Sequence, residues 1–310
     1  MSDPLSLSLD LLRRLPPSSI SQNLDTLVSL FPALADDLYS SVDQPLRVKI
    51  DKSAQGAGRE YLACDYNRDG DSWRSPWSGE YDPPLEDGTK PSKGLRDLEI
   101  RMGGAMETYK QLYYDTALSS VYLWDLDDGA FAGVVLFKKD IDPTTSSDPK
   151  KSGTIGLWDS LHVFEAAPDR AGRSASYKLT STVMLSLGRQ EGSNATASGS
   201  SSSTPSAEGQ PTLGNVSLSG SLTRQSAIEA PLLPPTSSSS GPGNSPYSPS
   251  HIANIGKLIE DAEGKMRAQL LEVYFGKTKD ILGYVRSGED LESKRREEGV
   301  RRELMGLWKK

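Results

Sequence analysis

Cysteine and histidine are almost absent from this 310-residue chain, which has one cysteine, Cys64, and two histidines, His162 and His251. One thiol cannot build an intrachain disulfide framework and suits a reducing compartment. Cys64 has no histidine nearby and no CxxC partner, so it reads as a small buried apolar residue rather than a nucleophile. The histidines lie far apart, His162 alternating within a strand-like run and His251 at a helix start; both positions favour structural roles over catalysis. No apolar run approaches the ~20 residues that span a bilayer. Residues 1–10 lack the basic and apolar regions of a signal peptide, so a cytoplasmic protein is expected. The sequons at Asn194 and Asn215 then follow from a Ser-rich composition. Basic residues are outnumbered, 35 against 42 acidic for a net charge of −7, which argues against global attraction to nucleic acid. A phosphate loop is missing too: Phe275-Gly-Lys-Thr-Lys279 ends in GKT without the first glycine or the preceding strand.

What is present is unusual. Leu62–Gly88 is too polar for a core and too aromatic for a linker. Tyr66, Trp73, Trp77 and Tyr81 stand among prolines, glycines and acids, which predicts an ordered irregular segment anchored by large rings. Asp65, Asn67, Asp69, Gly70 and Asp71 imitate the start of an EF-hand loop, but Pro76 stands where a bidentate Glu is required and the preceding residues alternate like a strand. Asx turns explain the acids better, and no metal or other cofactor is expected. Asp125, Asp127 and Asp128 with Gly129 read in the same way, as a hairpin turn.

Periodicity organises the rest. Leucines at helical spacing in residues 3–43 predict three short helices, none stable alone, packed as a small bundle. Lys93–Tyr114 reads as a longer helix weakened at Gly103-Gly104. Strand patterns follow at 119–124, 131–137, 156–164, 176–185 and 216–225 without helices between them, which indicates an antiparallel meander. The Ser, Gly and Pro content of 188–250 cannot bury enough apolar surface to order most of that stretch. A long helix is predicted over 250–286, with its seam on Ile252, Ile255, Ile259, Ala262, Met266, Leu270 and Val273. Its four glycines suit close packing on a partner or an intrachain requirement. Beyond Ser287-Gly288, Val300, Leu304, Leu307 and Trp308 form a narrow stripe flanked by Arg301 and Arg302. That stripe either folds back on its own domain or binds something else.

Several of these stretches resemble the beta subunit of the F-actin capping protein family. They are residues 64–88, 119–139, WDSLHVFE at 158–165, YKLTSTVML at 177–185, GSLTRQ at 220–225, and 248–267 with 273–287. They occur in the family's order and cover most of the chain outside 189–213 and 226–247, where this chain is longer than typical members.

The resemblance implies an α+β fold: an N-terminal helical stalk at 1–60, an irregular aromatic segment and connecting helix at 61–118, an antiparallel sheet at 119–225, a disordered insertion at 226–249, a long helix across the sheet at 250–287, and a mobile amphipathic extension at 288–310. It implies a heterodimer with a capping protein alpha subunit that blocks the barbed end of the actin filament, independently of calcium and without catalysis, in the cytoplasm at the cytoskeleton and in cortical actin patches. Actin contacts are expected at Val300, Arg301, Arg302, Leu304, Leu307 and Trp308. A basic surface responsive to phosphoinositides is expected at Lys265, Arg267, Lys277 and Lys279, with Arg224 and Arg286 as further candidates. The opposing reading of those cations is a solvated face paired with Glu263 or Glu272. Stalk-binding regulatory peptides could contact Trp73, Arg74 and Trp77. Two other functions compete: a signalling adaptor that uses the Ser/Pro-rich tract, and a calcium- or phosphate-dependent enzyme.

Overall fold

The computed structural model describes residues 3–14, 20–42, 44–141, 154–189, 217–233 and 247–273. Three short helices open the chain: α1 (Pro4–Arg14), α2 (Ile20–Leu30) and α3 (Ala35–Ser41). Leu12, Leu24, Leu27 and Leu38 are buried between them, so each marginal helix is held by the others as the leucine spacing requires. A hairpin of β1 (Arg47–Ile50) and β2 (Glu60–Ala63) follows, and then three very short strands, β3 (Arg68–Asp69), β4 (Ser72–Arg74) and β5 (Tyr81–Asp82), in one small antiparallel sheet. Helix α4 spans Lys93–Tyr113, and Gly103 and Gly104 do not interrupt it.

The main sheet is an antiparallel meander of five strands in chain order: β6 (Leu118–Asp125), β7 (Phe131–Ile141), β8 (Thr154–Pro168), β9 (Ser174–Arg189) and β10 (Ser217–Pro231). The strands run longer than their apolar cores suggest, because backbone pairing continues into polar residues. The clearest case is β10. Its pairing with β9 continues unbroken from Ser226↔Leu179 to Pro231↔Ser174, inside the stretch expected to be a disordered insertion. Tyr247 is likewise placed, packed edge-on against Phe131 at 5.3 Å.

Period-two alternation gives the sheet two faces. One carries Val121, Phe131, Val135, Phe137, Trp158, Phe164, Tyr177 and Val183 and is covered by α4 and α5 (Ser250–Val273). The other carries Tyr122, Val134 and Leu136 and is covered by Leu46 and Leu62 from the β1–β2 region. The expected seam of α5 is confirmed at Ile255, Ile259, Ala262 and Met266, to which Leu258 adds itself. Residues 274–286 of the long helix lie outside the described residues.

Candidate interaction surface

The segment around Trp73 is built by burying one arginine. Arg74 is 4 % exposed and grips Glu99 of α4 with both nitrogens, at 2.9 and 2.7 Å. Glu99 also accepts the Leu123 backbone N–H at 2.6 Å and a bond from Arg96, whose other nitrogen reaches the Pro76 carbonyl at 2.7 Å. This bidentate, fully bonded pair fixes the aromatic segment to α4 and β6. Arg74 is therefore structural, which removes it from the expected regulator contact. The two tryptophans stay half-buried at the surface: Lys49 sits 3.7 Å from the Trp73 ring and Arg59 3.5 Å from the Trp77 ring.

The residues that imitate a calcium loop are engaged with neighbouring groups. The Asn67 carbonyl oxygen accepts the Cys64 N–H at 2.8 Å, and its amide donates to the Arg74 carbonyl at 2.9 Å. Asp69 accepts the Thr89 N–H at 3.1 Å, while Asp65 and Asp71 lie beside Arg68. Asp125 is not part of a turn, contrary to the sequence reading. It ends β6 and holds the start of α4, accepting Ser92 N–H at 2.6 Å and Ser92 Oγ–H at 2.7 Å. Cys64 packs beside Leu62 and Tyr122, and burial pushes its thiol up to about 12.

A second buried polar group lies between α5 and the sheet. Glu263 is fully buried and accepts bonds from Tyr109 at 2.7 Å, Ser160 at 3.1 Å, His162 Nε2 at 3.0 Å and Tyr114. His162 Nδ1 meets Ser181 Oγ at 2.8 Å. Glu263 therefore does not lie on a solvated face, where the opposing reading of the cations placed it as one of two partners; the other, Glu272, lies outside the described side chains. Sequence reasoning missed the buried Glu263 because a carboxylate on α5 carries no mark of burial. The only hint was its place between the seam residues Ala262 and Met266. His251 is buried too, with Nδ1 accepting the Tyr177 hydroxyl at 2.7 Å, and burial pushes it down to about 4.

The expected basic surface is only partly visible. Lys265 is exposed and Arg267 half-buried. Two positions apart means roughly 200° around a helix, so they do not share a face. Arg224 of β10 reaches α5 through Gln269 at 3.2 Å. Lys277, Lys279 and Arg286 lie outside the described residues, as do Val300, Arg301, Arg302, Leu304, Leu307 and Trp308.

A groove of about 920 Å³ between α4 and α5 is lined by Met106, Leu112, Ile252 and Gly256 and by Lys257, Asp261 and Glu260, the last of which accepts the Tyr113 hydroxyl. Apolar side chains also stand in solvent on the N-terminal bundle: Leu7, Leu11, Leu30 and Phe31.

Compared with known families, residues 5–282 match the model of the F-actin capping protein beta subunit. The chain belongs to this family. Its relatives include the F-actin-capping protein subunit beta of Aspergillus oryzae, 46% identical over 96% of this chain and 95% of the relative, and that of Caenorhabditis elegans, 44% identical over 97% and 95%. The Neurospora crassa protein of the same name is 43% identical over all of this chain and 99% of its own length. Among solved structures, a homodimeric actin capping protein alpha subunit from Plasmodium berghei matches at TM-score 0.44 and 12% identity, covering 89% of this chain and 93% of that one. That likeness is too remote to add to the sequence relationship. Within the family match lie both buried polar groups and the whole meander, so the described fold and the family segment coincide.

Proposed function

We propose that this chain is the beta subunit of a heterodimer with a capping protein alpha subunit, and that the dimer binds the barbed ends of actin filaments and blocks subunit gain and loss. The carrying observation is the family match over residues 5–282, reinforced by relatives aligned along nearly their whole length. The role is binding rather than catalysis. The two histidines and the buried carboxylates Glu99, Asp159 and Glu263 are all engaged in internal bonds that hold the fold. Exposed Leu7, Leu11, Leu30 and Phe31 supply apolar surface for the alpha subunit, with 1–60 acting as the stalk. Capping proceeds without calcium, since the oxygens of Asn67 and Asp69 already serve backbone N–H groups.

In this reading Leu304, Leu307 and Trp308 insert into an apolar cleft on the terminal actin, with Val300 completing the stripe and Arg301 and Arg302 speeding the encounter. Anionic lipid acts on the cations Lys265, Arg267, Lys277 and Lys279, with Arg224 and Arg286 as further candidates. Stalk-binding peptides act near Trp73 and Trp77. The complex works in the cytoplasm at the cytoskeleton, in cortical actin patches. Elongation of pyrene-actin from barbed-end seeds tests the central claim. The coexpressed heterodimer should stop elongation at nanomolar concentration, with or without a calcium chelator, and uninhibited elongation would overturn it.

A further inference from the structure

The two edges of the β1–β2 hairpin end differently. Asp51 N–H donates to the Arg59 carbonyl at 2.9 Å, so by alternation residues 47, 49 and 51 turn their backbone groups towards β2. Val48 and Ile50 therefore turn theirs outward, as Leu62 and Glu60 do on β2. The outward groups of β2 are taken. Ser120 Oγ accepts the Leu62 N–H at 2.9 Å, the Tyr122 hydroxyl donates to the Leu62 carbonyl at 2.7 Å, and Trp77 Nε1 donates to the Glu60 carbonyl at 2.9 Å. On β1 no described residue bonds the outward N–H or C=O of Val48 or Ile50. Their side chains are 42 % and 49 % exposed. A bare edge with apolar side chains is a template for another strand. The lysine that commonly guards such an edge is drawn aside here, since Lys49 Nζ lies 3.7 Å from the Trp73 ring centroid.

We propose that the free edge of β1 binds an extended peptide of a partner protein by strand addition, and that this peptide alternates β-branched apolar residues with acidic ones. Main-chain bonds to Val48 and Ile50 give the affinity, and the alternation gives the selectivity. Residues of the added strand on the Val48 and Ile50 face meet apolar surface. Those on the other face lie beside Arg47 and Lys49, where a carboxylate is favoured. The acids beside these cations are already engaged: Asp82 with Lys52 at 3.3 Å, and Asp51 with the Ser53 N–H at 2.9 Å and the Ser78 hydroxyl at 2.7 Å. A second copy of the chain is the wrong occupant. Pairing Val48 with Ile50 of another copy across a two-fold axis sets Lys49 opposite its own equivalent, like charge on like. The site adjoins the Trp73 contact assigned above to stalk-binding peptides, but it goes beyond that reading and needs only the β1 edge.

Residue-resolved hydrogen exchange on the coexpressed heterodimer tests this, with a short capped peptide in which valine alternates with glutamate. Before peptide is added, the Val48 and Ile50 amides should exchange fast, and the Lys49 and Asp51 amides, which face β2, slowly. Saturating peptide should slow Val48 and Ile50 several-fold, and far more than Lys49 and Asp51. Lysine in place of the peptide's glutamates should abolish the effect, and added salt should weaken it. Val48→Pro and Ile50→Pro each delete one outward N–H without touching the β1–β2 ladder, and each should weaken peptide binding several-fold. Ile50→Lys keeps the N–H, places a charge at an exposed edge position and should weaken binding too, with thermal midpoint and actin capping unchanged. Slow exchange at Val48 and Ile50 without peptide means that the alpha subunit covers the edge, and it overturns the proposal. So does the absence of protection at millimolar peptide, or protection that persists in all three variants or with the lysine peptide. Failure of the filament reading looks different: elongation would go uninhibited while peptide protection of Val48 and Ile50 stood.

Discussion

His162 Nε2 lies 3.0 Å from Glu263 Oε1, with both side chains fully buried between the sheet and α5. One carboxylate collects His162, Tyr109, Tyr114 and Ser160, so α5 can sit on the sheet in only one register without stranding polar atoms. Glu263→Ala removes the shared acceptor from three buried donors and the half-buried Tyr109, and should destabilise the heterodimer by about 3–5 kcal/mol. Glu263→Gln keeps an acceptor oxygen and should cost less. Urea unfolding of the coexpressed dimer measures both, and equal midpoints for wild type and alanine variant would show that the cluster contributes nothing.

Arg74 and Glu99 form the second buried pair, and here a third group complicates the outcome. Arg74→Met leaves Glu99 with Arg96 and the Leu123 N–H, so its carboxylate is not stranded. Glu99→Gln instead leaves Arg74 buried and charged, beside the Tyr122 ring with its centroid at 5.5 Å. The glutamate variant should therefore be the more damaging, and a double-mutant cycle should give a coupling of order 1–3 kcal/mol. The local sign of failure is fast exchange in residues 72–82, whose tie to α4 is lost.

Two buried groups respond to acid in opposite directions. Burial pushes Asp159 up to about 6, with Lys138 at 3.2 Å and the Leu46 N–H at 2.7 Å offsetting only part of it. A raised folded pKa on an acid means that the protonated form is favoured in the fold, so its stabilisation is present at low pH and is lost as pH rises from about 4 to 6. His251, pushed down to about 4, behaves the other way: its neutral form is favoured, and stability is lost as pH falls from 6.5 towards 4. Each shift corresponds to roughly 3 kcal/mol, so the two nearly cancel. Asp159→Asn should therefore steepen the loss of stability below pH 6 relative to wild type, and His251→Gln should flatten or reverse it. Denaturant midpoints from pH 4 to 7 decide the matter, and parallel curves for all three proteins would refute it.

Gly133 sits where the sheet leaves no room for a side chain. A Cβ there would lie 2.3 Å from Leu123 Cδ2, 2.7 Å from Phe164 Cζ and 2.8 Å from the Tyr122 carbonyl oxygen. The leucine can turn away, but the backbone oxygen cannot. Gly133→Ala should cost about 1–3 kcal/mol through overpacking, whereas Gly104→Ala, on the open side of α4, should be neutral or mildly stabilising. Thermal melts of the two variants should therefore move apart.

The meander, α4 and the seam of α5 were legible because hydrophobic period reports directly on which face is buried. The end of β10 was not, because Ser226–Pro231 is ordered by pairing with β9 rather than by its own apolar content. Glu263 and Arg74 were misplaced for a related reason. A charged residue reads as exposed unless its partners are known, and those partners stand 154 and 25 positions away, at Tyr109 and Glu99. The groove between α4 and α5 depends on the packing of two helices distant in sequence, and no local pattern predicts it.

The N-terminal bundle makes the sharpest prediction about assembly. Its own core is closed: Leu12, Leu24, Leu27 and Leu38 are buried among the three helices. Yet Leu30 is 66 % exposed and Phe31 49 % exposed, side by side at the end of α2, and Leu7 and Leu11 stand out one turn apart on α1. Two such pairs on a bundle of three short helices exceed scattered surface leucines and mark a contact. If that contact is the alpha subunit, Leu30→Asp with Phe31→Ser should spare the intrachain core and break the dimer. Coexpression with a tagged alpha subunit should then recover much less of this chain, and the chain expressed alone should be poorly soluble, less so once substituted. Leu27→Asp, aimed at the buried core, is the control for simple unfolding and should lose both solubility and pairing. Full recovery of the Leu30/Phe31 variant with its partner would show that these residues face solvent in the complex and that pairing rests elsewhere.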